Sequence, residues 1–556
     1  MDFSDNGDTV SLTVNVTNTG DVAGKDVVEV YFTPPYTNGG IEKASVNLVQ
    51  FAKTAQLEPG ASETVSFTID KEDFASYDSG CIKTADGGYV LEAGEYALSI
   101  RADSHTVLDS VTFTVESDVD YSANGRPSDS AVPTNQFQDY SAGNVTYLSR
   151  ADGFANYAEA TAAPAEEAYA MDADTLARIT KKSVAYYDPT RYDDPNDEMP
   201  VTGADNGLSL ADFTGKAYDD PQWEELLDQL TFDEMFNLVN LGGFQTVAMK
   251  SVGKVQTMDS DGGTGLNDWY IGVFGTSFPT AVLICQTWNT DLTYRTGEAL
   301  GAEFADCEIW GWYGPGMNTH RNAFCGRNFE YYSEDGVLGG YMASAMVNGG
   351  TSNGIYAYIK HFVLNDQETN RCSFLLTYSD EQAIREIYMK PFEICVKENR
   401  DMGGAAAGYP MAVMTSFNFI GDVYCGSNPD LLNDVLRGEW GFQGMVLTDW
   451  DGSYGYQLTD DVVRGGSDLM LGFLQHESNQ LTDRDSATLV KALRQAAKNI
   501  FFTTVNSGAY TRSTAGTGLS PMVKTFIAID AGILAAVAVV EAIVIVRWRR
   551  KSKTTT

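Results

Sequence analysis

The chain has 556 residues, 43% of them hydrophobic, which is enough for two or three separately packed units. Its formal net charge of -39 argues against nucleic acid or an anionic lipid surface as a partner of the main body. The 7 cysteines are scattered without a CxxC pair, and the 4 histidines are equally dispersed. The sequence therefore predicts no disulfide framework and no metal in the catalytic step.

The first predicted domain is a β-sandwich over residues 1–118. Residues 10–16 alternate apolar and polar side chains, the period-two pattern of a half-buried strand. The alternation recurs in 27–32, 65–69, 96–100 and 111–115, between turns rich in Gly, Asp and Pro. Several short strands at this spacing are typical of a sandwich.

Residues 119–205 lack periodicity and are predicted to form an irregular connecting strap. The segment is rich in Ala, Asp, Tyr, Ser and Pro, with turn signals such as Tyr186-Tyr-Asp-Pro. A structureless stretch of this length is unusual in a compact protein unless it covers a neighbouring domain, and its aromatic residues favour that arrangement.

Helical and strand patterns alternate through residues 206–506. Amphipathic helices are predicted at 223–230 and 380–390. Buried strands are predicted at 257–261, 412–417, 445–449 and 467–471. About 300 residues of this alternation predict a (β/α) barrel of the TIM type.

The C-terminal end is predicted to contain a tether (507–521), a transmembrane helix (522–546) and a basic tail (547–556). Residues 526–546 are almost wholly apolar and long enough to span a bilayer, although Asp530 and Glu541 leave a buried soluble helix as an alternative. The positive-inside rule puts the basic tail in the cytoplasm, which predicts a single-pass cell-membrane protein with an extracellular body.

The first residues do not resemble a signal peptide, and a strand pattern already begins at residue 10. Since an extracellular body requires export, the sequence predicts that the chain is incomplete at its N-terminus.

Three segments carry the chemistry. The strand 441–450 ends in a carboxylate, Asp449, beside an indole, Trp450; the other two are 314–335 and 360–371. Together they resemble glycoside hydrolase family 3, the β-glucosidase family. The resemblance extends upstream to Asp261-Gly262 and includes a fibronectin-III-like module that precedes the barrel, a rearranged domain order.

This resemblance implies a retaining exo-glycosidase that removes terminal β-D-glucosyl residues from oligosaccharides or aryl glycosides without a cofactor. Asp449 would be its nucleophile and would form a covalent glycosyl-enzyme. The residues implied in carbohydrate binding are Asp261, Arg327, Lys360, His361, Arg371, Met414 and Trp450. The family often carries Tyr where this chain has Phe417.

Several of these residues have a plainer interpretation. Arg327 could form a structural salt bridge with Glu330 or Asp335, and Lys360-His361 could belong to a satisfied core network. Arg371 could brace other residues of the site, and Asp261 could be a turn former.

The resemblance places the acid/base glutamate in a separate α/β domain, so no Glu of this chain is assigned to that role and the acid/base is expected outside it. Two alternative functions stay open. One is a β-xylosidase or arabinosidase of the same family, and the other is a non-catalytic carbohydrate-binding protein of the cell surface.

Overall fold

The computed structural model describes residues 1–137, 146–163, 165, 170–398, 409, 411–473, 481, 483–512 and 521–552. Residues 513–520 of the predicted tether and 553–556 of the predicted basic tail lie outside the described residues.

The N-terminal domain is a sandwich of antiparallel sheets. Its strands are β1 (Asp2–Asp5), β2 (Thr9–Thr17), β3 (Val27–Thr33), β4 (Asn47–Lys53), β5 (Ser62–Asp70), β6 (Ser76–Tyr77), β7 (Tyr89–Leu91), β8 (Gly94–Arg101), β9 (Val107–Val115) and β10 (Val119–Asp120). They form sheets with the orders β1-β2-β5, β4-β3-β8-β9 and β10-β7-β6. The alternating residues close a shared core that includes Val10, Val30, Phe67, Leu98 and Phe113.

All five strands predicted from alternation are present, and β4 was missed because its sequence, Asn-Leu-Val-Gln-Phe-Ala-Lys, does not alternate strictly. The five predicted strands are therefore present, and β1, β6, β7 and β10, each of two to four residues, were missed in addition to β4.

The segment after the sandwich is more regular than predicted. Its helices are α1 (Ala151–Phe154), α2 (Tyr157–Ala160) and α3 (Ala173–Lys181), and β10 lies at its start. Helix α3 forms because Asp172 caps it, accepting hydrogen bonds from the backbone N–H groups of Asp174 and Thr175. This cap and the amphipathic turns that follow it outweigh the polar composition that suggested an irregular strap.

This segment contacts the C-terminal domain through polar pairs. Arg178 pairs with Asp422, and the Tyr187 hydroxyl donates to Asp460 at 2.8 Å. Lys491 pairs with Asp197 at 2.6 Å.

The C-terminal domain contains a six-stranded sheet and several short hairpins. Its strands are β11 (Gln245–Thr246), β12 (Thr257–Asp261), β13 (Asn267–Asp268), β14 (Val273–Phe274), β15 (Ile309–Tyr313), β16 (Tyr356–Phe362), β17 (Leu376–Thr377), β18 (Met411–Thr415), β19 (Phe419–Ile420), β20 (Val423–Tyr424) and β21 (Met445–Leu447). The main sheet has the order β11-β12-β15-β16-β18-β21, and all its neighbours from β12 onward are parallel.

Helices connect and cover these strands, as the alternating pattern predicted. They are α4 (Gln222–Leu227), α5 (Phe232–Asn240), α6 (Ala281–Cys285), α7 (Thr290–Asp306), α8 (Gly336–Thr351), α9 (Glu381–Ala383, continued as a π-helix to Tyr388), α10 (Lys390–Lys397), α11 (Asp430–Glu439, π-helical), α12 (Thr459–Arg464), α13 (Ala487–Val505) and α14 (Gly508–Thr511). A further helix, α15 (Pro521–Ser552), lies C-terminal to this domain.

The predicted strand at 467–471 is replaced by an irregular segment that pairs with β21 only through a bridge between Leu447 and Leu469. Its backbone nevertheless forms hydrogen bonds with the segments on both sides of it. Thr448 N–H donates to the Leu469 carbonyl at 2.9 Å, and Met470 N–H donates to the Val239 carbonyl at 2.9 Å. The sheet is thus at least half of a barrel, and segment 469–472 lies between β21 and the end of α5.

Within α15, residues Ile529–Arg547 are long and apolar enough to cross a membrane, and none of that stretch is buried. Length and composition therefore identify one candidate membrane-spanning helix in the described part of the chain.

A buried ion network joins the segment that follows the sandwich to the C-terminal domain. The Arg385 guanidinium contacts Glu381 at 2.8 Å and Glu439 at 2.6 Å, and it donates to the Thr134 carbonyl at 2.7 Å. Glu381 in turn accepts from the backbone N–H groups of Gln136 and Phe137. Arg385 is only 3% exposed, and the two carboxylates that it neutralises are also buried.

We expect Arg385→Met to destabilise the protein by about 3–5 kcal/mol, since it leaves Glu381 and Glu439 buried without their cation. Urea denaturation followed by tryptophan fluorescence measures the shift. The matched control is Arg484→Met, because Arg484 pairs with Asp233 at an exposed position and its loss should leave the midpoint unchanged. Equal urea midpoints for the two variants would contradict the role of Arg385 as the cation that stabilises buried Glu381 and Glu439.

Candidate functional site

A cavity of about 360 Å³ opens where the parallel strands end. This volume falls in the roughly 300–1,000 Å³ range of small-molecule sites. In a parallel sheet the carboxyl ends meet at one edge, which brings the ends of β12, β16 and β18 near Asp449, two residues after β21. The lining residues are Phe244, Asp261, Trp269, Tyr270, Arg327, Lys360, His361, Arg371, Met414, Phe417, Asp449, Trp450, Tyr454 and Leu471.

All eight residues singled out from the sequence line this cavity, although they come from segments up to about 190 positions apart (Asp261 to Trp450). The structure therefore brings every predicted site residue together.

Asp449 follows β21 and is 8% exposed. Its Oδ1 accepts a hydrogen bond from the Trp450 backbone N–H at 2.7 Å, and its Oδ2 has no hydrogen-bond partner among the described residues. Burial raises the pKa of this carboxyl above its ordinary value of 3.8, while Arg327, the Trp450 N–H, Arg371 and Lys360 work to lower it. The cations expected around the carboxylate are present, but burial outweighs them.

Arg327 and Lys360 share one acidic partner, Glu330. The Arg327 guanidinium contacts Glu330 at 2.6 Å, and Lys360 Nζ lies 3.3 Å from the same carboxylate. Burial works to raise the pKa of Glu330, and the two cations outweigh it, so the net shift is downward. The salt bridge considered as an alternative for Arg327 therefore exists, and the same guanidinium still lines the cavity. Asp335 instead caps α8.

His361 is buried and lies between the cations and Asp449. Its Nε2 is 3.6 Å from Asp449 Oδ2. Burial, reinforced by Arg327, Lys360 and Arg371, holds the pKa of His361 well below its ordinary value, so the imidazole is neutral. A neutral imidazole beside a buried carboxylate can offer one N–H donor without adding charge.

Arg371 and Asp261 complete the polar side of the cavity. Arg371 pairs with Glu368 at 3.2 Å and packs its guanidinium over the Phe417 ring, 4.9 Å from the centroid. The Asp261 side chain is 57% exposed and approaches Lys360 Nζ at 3.5 Å. Asp261 therefore presents an accessible carboxylate at the mouth, and Arg371 both braces Glu368 and faces the cavity.

Met414 and the aromatic residues form the apolar side. Trp450 contacts Phe244, Tyr270 and Phe473, with ring centroids 6.3, 6.1 and 5.9 Å apart. Sequence reasoning identified Met414 and Trp450 but missed Phe244, Trp269, Tyr270, Tyr454 and Leu471. The adjacent aromatics Trp269-Tyr270, next to Asp268, were the available signal in the sequence.

Among the described residues that line the cavity, Asp261 and Asp449 are the only acidic ones, and no glutamate is present. The described residues also contain no group of three His, Cys, Asp or Glu side chains arranged to hold a metal ion. The arrangement offers one buried carboxylate, several fixed cations, a neutral imidazole and an apolar wall. This combination suits a neutral, hydroxyl-rich ligand.

Comparison with known proteins supports this interpretation. Residues 248–462 match the glycosyl hydrolase family 3 N-terminal domain, and residues 26–104 match the fibronectin type III-like domain. Among curated proteins, the chain is 34% identical to β-glucosidase A of Butyrivibrio fibrisolvens over 84% of this chain and 54% of that protein. It is 32% identical to a β-glucosidase of Ruminococcus albus over 80% of this chain and 43% of that protein.

Among solved structures, the crystal structure of a β-glucosidase from Paenibacillus barengoltzii is similar with a TM-score of 0.69 and 27% identity. The match covers 93% of this chain and 55% of that chain. The chain thus spans about half the length of the relatives it matches. On these grounds the chain contains a glycosyl hydrolase family 3 N-terminal domain, preceded by a fibronectin type III-like domain.

Proposed function

We propose that this chain acts as a retaining exo-glycosidase that removes terminal β-D-glucosyl residues, with Asp449 as its nucleophile. The observation that carries the proposal is the position of Asp449: it is a buried carboxylate at the end of a parallel strand, in a cavity that also contains Arg327 and Lys360. The β-glucosidases similar to this chain support glucose as the sugar.

The proposed roles follow from the contacts. Asp449 attacks the anomeric carbon, the bond to the leaving oxygen breaks, and water later releases the sugar from the glycosyl-enzyme. Arg327, Lys360, His361 and Arg371 bind sugar hydroxyls as charged or fixed donors. Asp261 accepts from a hydroxyl at the mouth.

The apolar residues complete the sugar site. Met414, in β18, closes the apolar wall, and Trp450 provides an aromatic face for the sugar ring.

Two further parts of the proposal concern architecture. We take the main sheet to be a closed (β/α) barrel, because segment 469–472 hydrogen-bonds to β21 on one side and to residues 239–243 on the other. We also propose that 529–547 anchors the chain in the cell membrane as a single span, with residues 1–512 outside. The basic residues that begin at Arg547 support this orientation.

The proposal is tested with 2,4-dinitrophenyl 2-deoxy-2-fluoro-β-D-glucoside. The fluorine slows both steps, and the dinitrophenolate leaves with little help from an acid, so the covalent intermediate should accumulate. Mass spectrometry of the peptides is expected to show one fluoroglucosyl group on Asp449. The corresponding xyloside serves as the control for sugar choice.

Each outcome decides between the candidate functions. Faster labelling by the xyloside would favour a xylosidase. Tight binding of glucose without labelling would favour a carbohydrate-binding protein, a candidate that the absence of a glutamate among the described lining residues supports. Labelling at another residue would reject Asp449 as the nucleophile.

A further inference from the structure

A chain of hydrogen bonds leads from the protein interior to His361, which faces Asp449. Asn365 Nδ2 donates to the Tyr331 hydroxyl at 2.9 Å, and the Tyr331 hydroxyl lies 3.1 Å from His361 Nδ1. The other ring nitrogen, Nε2, faces Asp449 Oδ2 at 3.6 Å. Tyr331, His361 and Asn365 are each at most 2% exposed, so solvent does not compete for these groups.

The direction of every bond in this chain follows from one ion pair. Glu368 pairs with Arg371 at 3.2 Å and is therefore an ionised acceptor. Asn365 lies 3.1 Å from Glu368 Oε1, so the amide must turn its NH₂ group toward Glu368. The second proton of that NH₂ group then points to the Tyr331 oxygen.

The remaining step concerns the imidazole. The Tyr331 oxygen accepts from Asn365, and among the described residues His361 Nδ1 is the acceptor within reach of its proton, so the hydroxyl donates to Nδ1. Nδ1 then acts as an acceptor, and in a neutral ring the single proton resides on Nε2. Burial raises the pKa of Tyr331 well above its ordinary value, so the hydroxyl keeps the proton that it donates.

We propose that Tyr331 and Asn365 are positioning residues that hold the proton of His361 on Nε2, where it faces the unpaired Oδ2 of Asp449. Phe417, which also lines the cavity, has no hydroxyl to offer, and no other described residue donates to Oδ2. The opposite tautomer would turn a lone pair toward the carboxylate. The importance of this contact for catalysis rests on the proposed function, whereas the order of the hydrogen bonds does not.

The contact between His361 and Asp449 is longer than a hydrogen bond in the ligand-free protein. Catalytic hydrogen bonds are often long before substrate binds and shorten in the complex. A fixed tautomer matters for that shortening, because the N–H must already point the right way when the sugar enters.

The first measurement is the tautomer itself. The chain has only 4 histidines, so ¹⁵N-imidazole labelling of the full chain gives a readable spectrum. The His361 signals are assigned by their loss in His361→Gln. The proposal predicts a protonated Nε2 and an unprotonated Nδ1 in the unmodified protein, and in Tyr331→Phe it predicts a shift of the Nδ1 resonance with a detectable population of the other tautomer.

The second measurement is kinetic. We expect Tyr331→Phe to slow the formation of the fluoroglucosyl-enzyme at least about tenfold, since it removes one buried hydrogen bond that orients the ring. Tyr332→Phe is the matched control: Tyr332 is adjacent, equally buried, and does not line the cavity. It should leave both the spectrum of His361 and the rate of labelling unchanged.

Three results would overturn the proposal. They are a proton on Nδ1 in the unmodified protein, a Tyr331→Phe spectrum identical to the original, and equal rate losses in Tyr331→Phe and Tyr332→Phe. If the unmodified chain fails to be labelled at Asp449, the proposed function fails, and the tautomer measurement still decides the order of the hydrogen bonds.

Discussion

Replacing Asp449 by alanine is expected to lower kcat for an activated aryl β-glucoside by at least about 10⁴-fold, because Asp261, the other acidic side chain among the described lining residues, lies exposed at the mouth and is not placed for covalent catalysis. Azide should restore part of the rate by entering the vacated space. It would attack the anomeric carbon from the α face while the aryl oxide leaves, so the expected product is α-glucosyl azide, which NMR identifies.

The same variant makes a prediction about stability. Folding raises the pKa of Asp449, so at pH 7 the ionised side chain opposes folding, and this penalty disappears as the pH falls through the raised value. Asp449→Ala should therefore keep or exceed the original urea midpoint at pH 7.

Asp422→Ala serves as a control for expression and handling, because Asp422 pairs with Arg178 and does not line the cavity. It should retain full turnover. Unchanged kinetics in Asp449→Ala would reject the whole assignment of the site.

Replacing Arg327 by methionine is expected to lower kcat/KM by about 10²-fold and to change its pH dependence. The proposed mechanism needs ionised Asp449, so kcat/KM is expected to fall as the pH drops through the pKa of this carboxyl. Arg327 is the strongest influence that lowers that pKa. Its removal raises the pKa further, and the acidic limb of the profile of kcat/KM against pH should move to higher pH.

Arg321→Met is the matched control for this shift. Arg321 belongs to the same long loop, but its guanidinium packs over Tyr388, 5.6 Å from the ring centroid, and it does not line the cavity. The acidic limb should stay in place. If both variants move the limb equally, the effect comes from net charge and not from the position of Arg327.

Much of the fold could be predicted because local patterns carried it. Strict alternation in residues 10–16 and 65–69 reports one buried face, and the structure has strands there. Secondary-structure elements without a clear local sequence pattern were missed or predicted wrongly. β4 does not alternate, and α3 depends on the Asp172 cap inside a polar segment. Residues 467–471 look like a strand, yet they pair irregularly because they bridge two different neighbours.

The sequence by itself determined which side chains form the candidate site: a carboxylate next to an indole at a strand end, with Arg327 and Lys360-His361 in segments of recognisable composition. Those residues are identified by their type and by their order along the chain, and the sequence gives both directly.

Only the tertiary structure decided what surrounds them. It pairs Glu330 with both Arg327 and Lys360, brings Trp269 and Tyr270 to the cavity, and leaves Asp449 buried enough that its pKa rises. It also aligns Asn365, Tyr331 and His361. The physical reason is that burial and hydrogen-bond direction depend on groups far apart in the chain, whose distances no local pattern encodes.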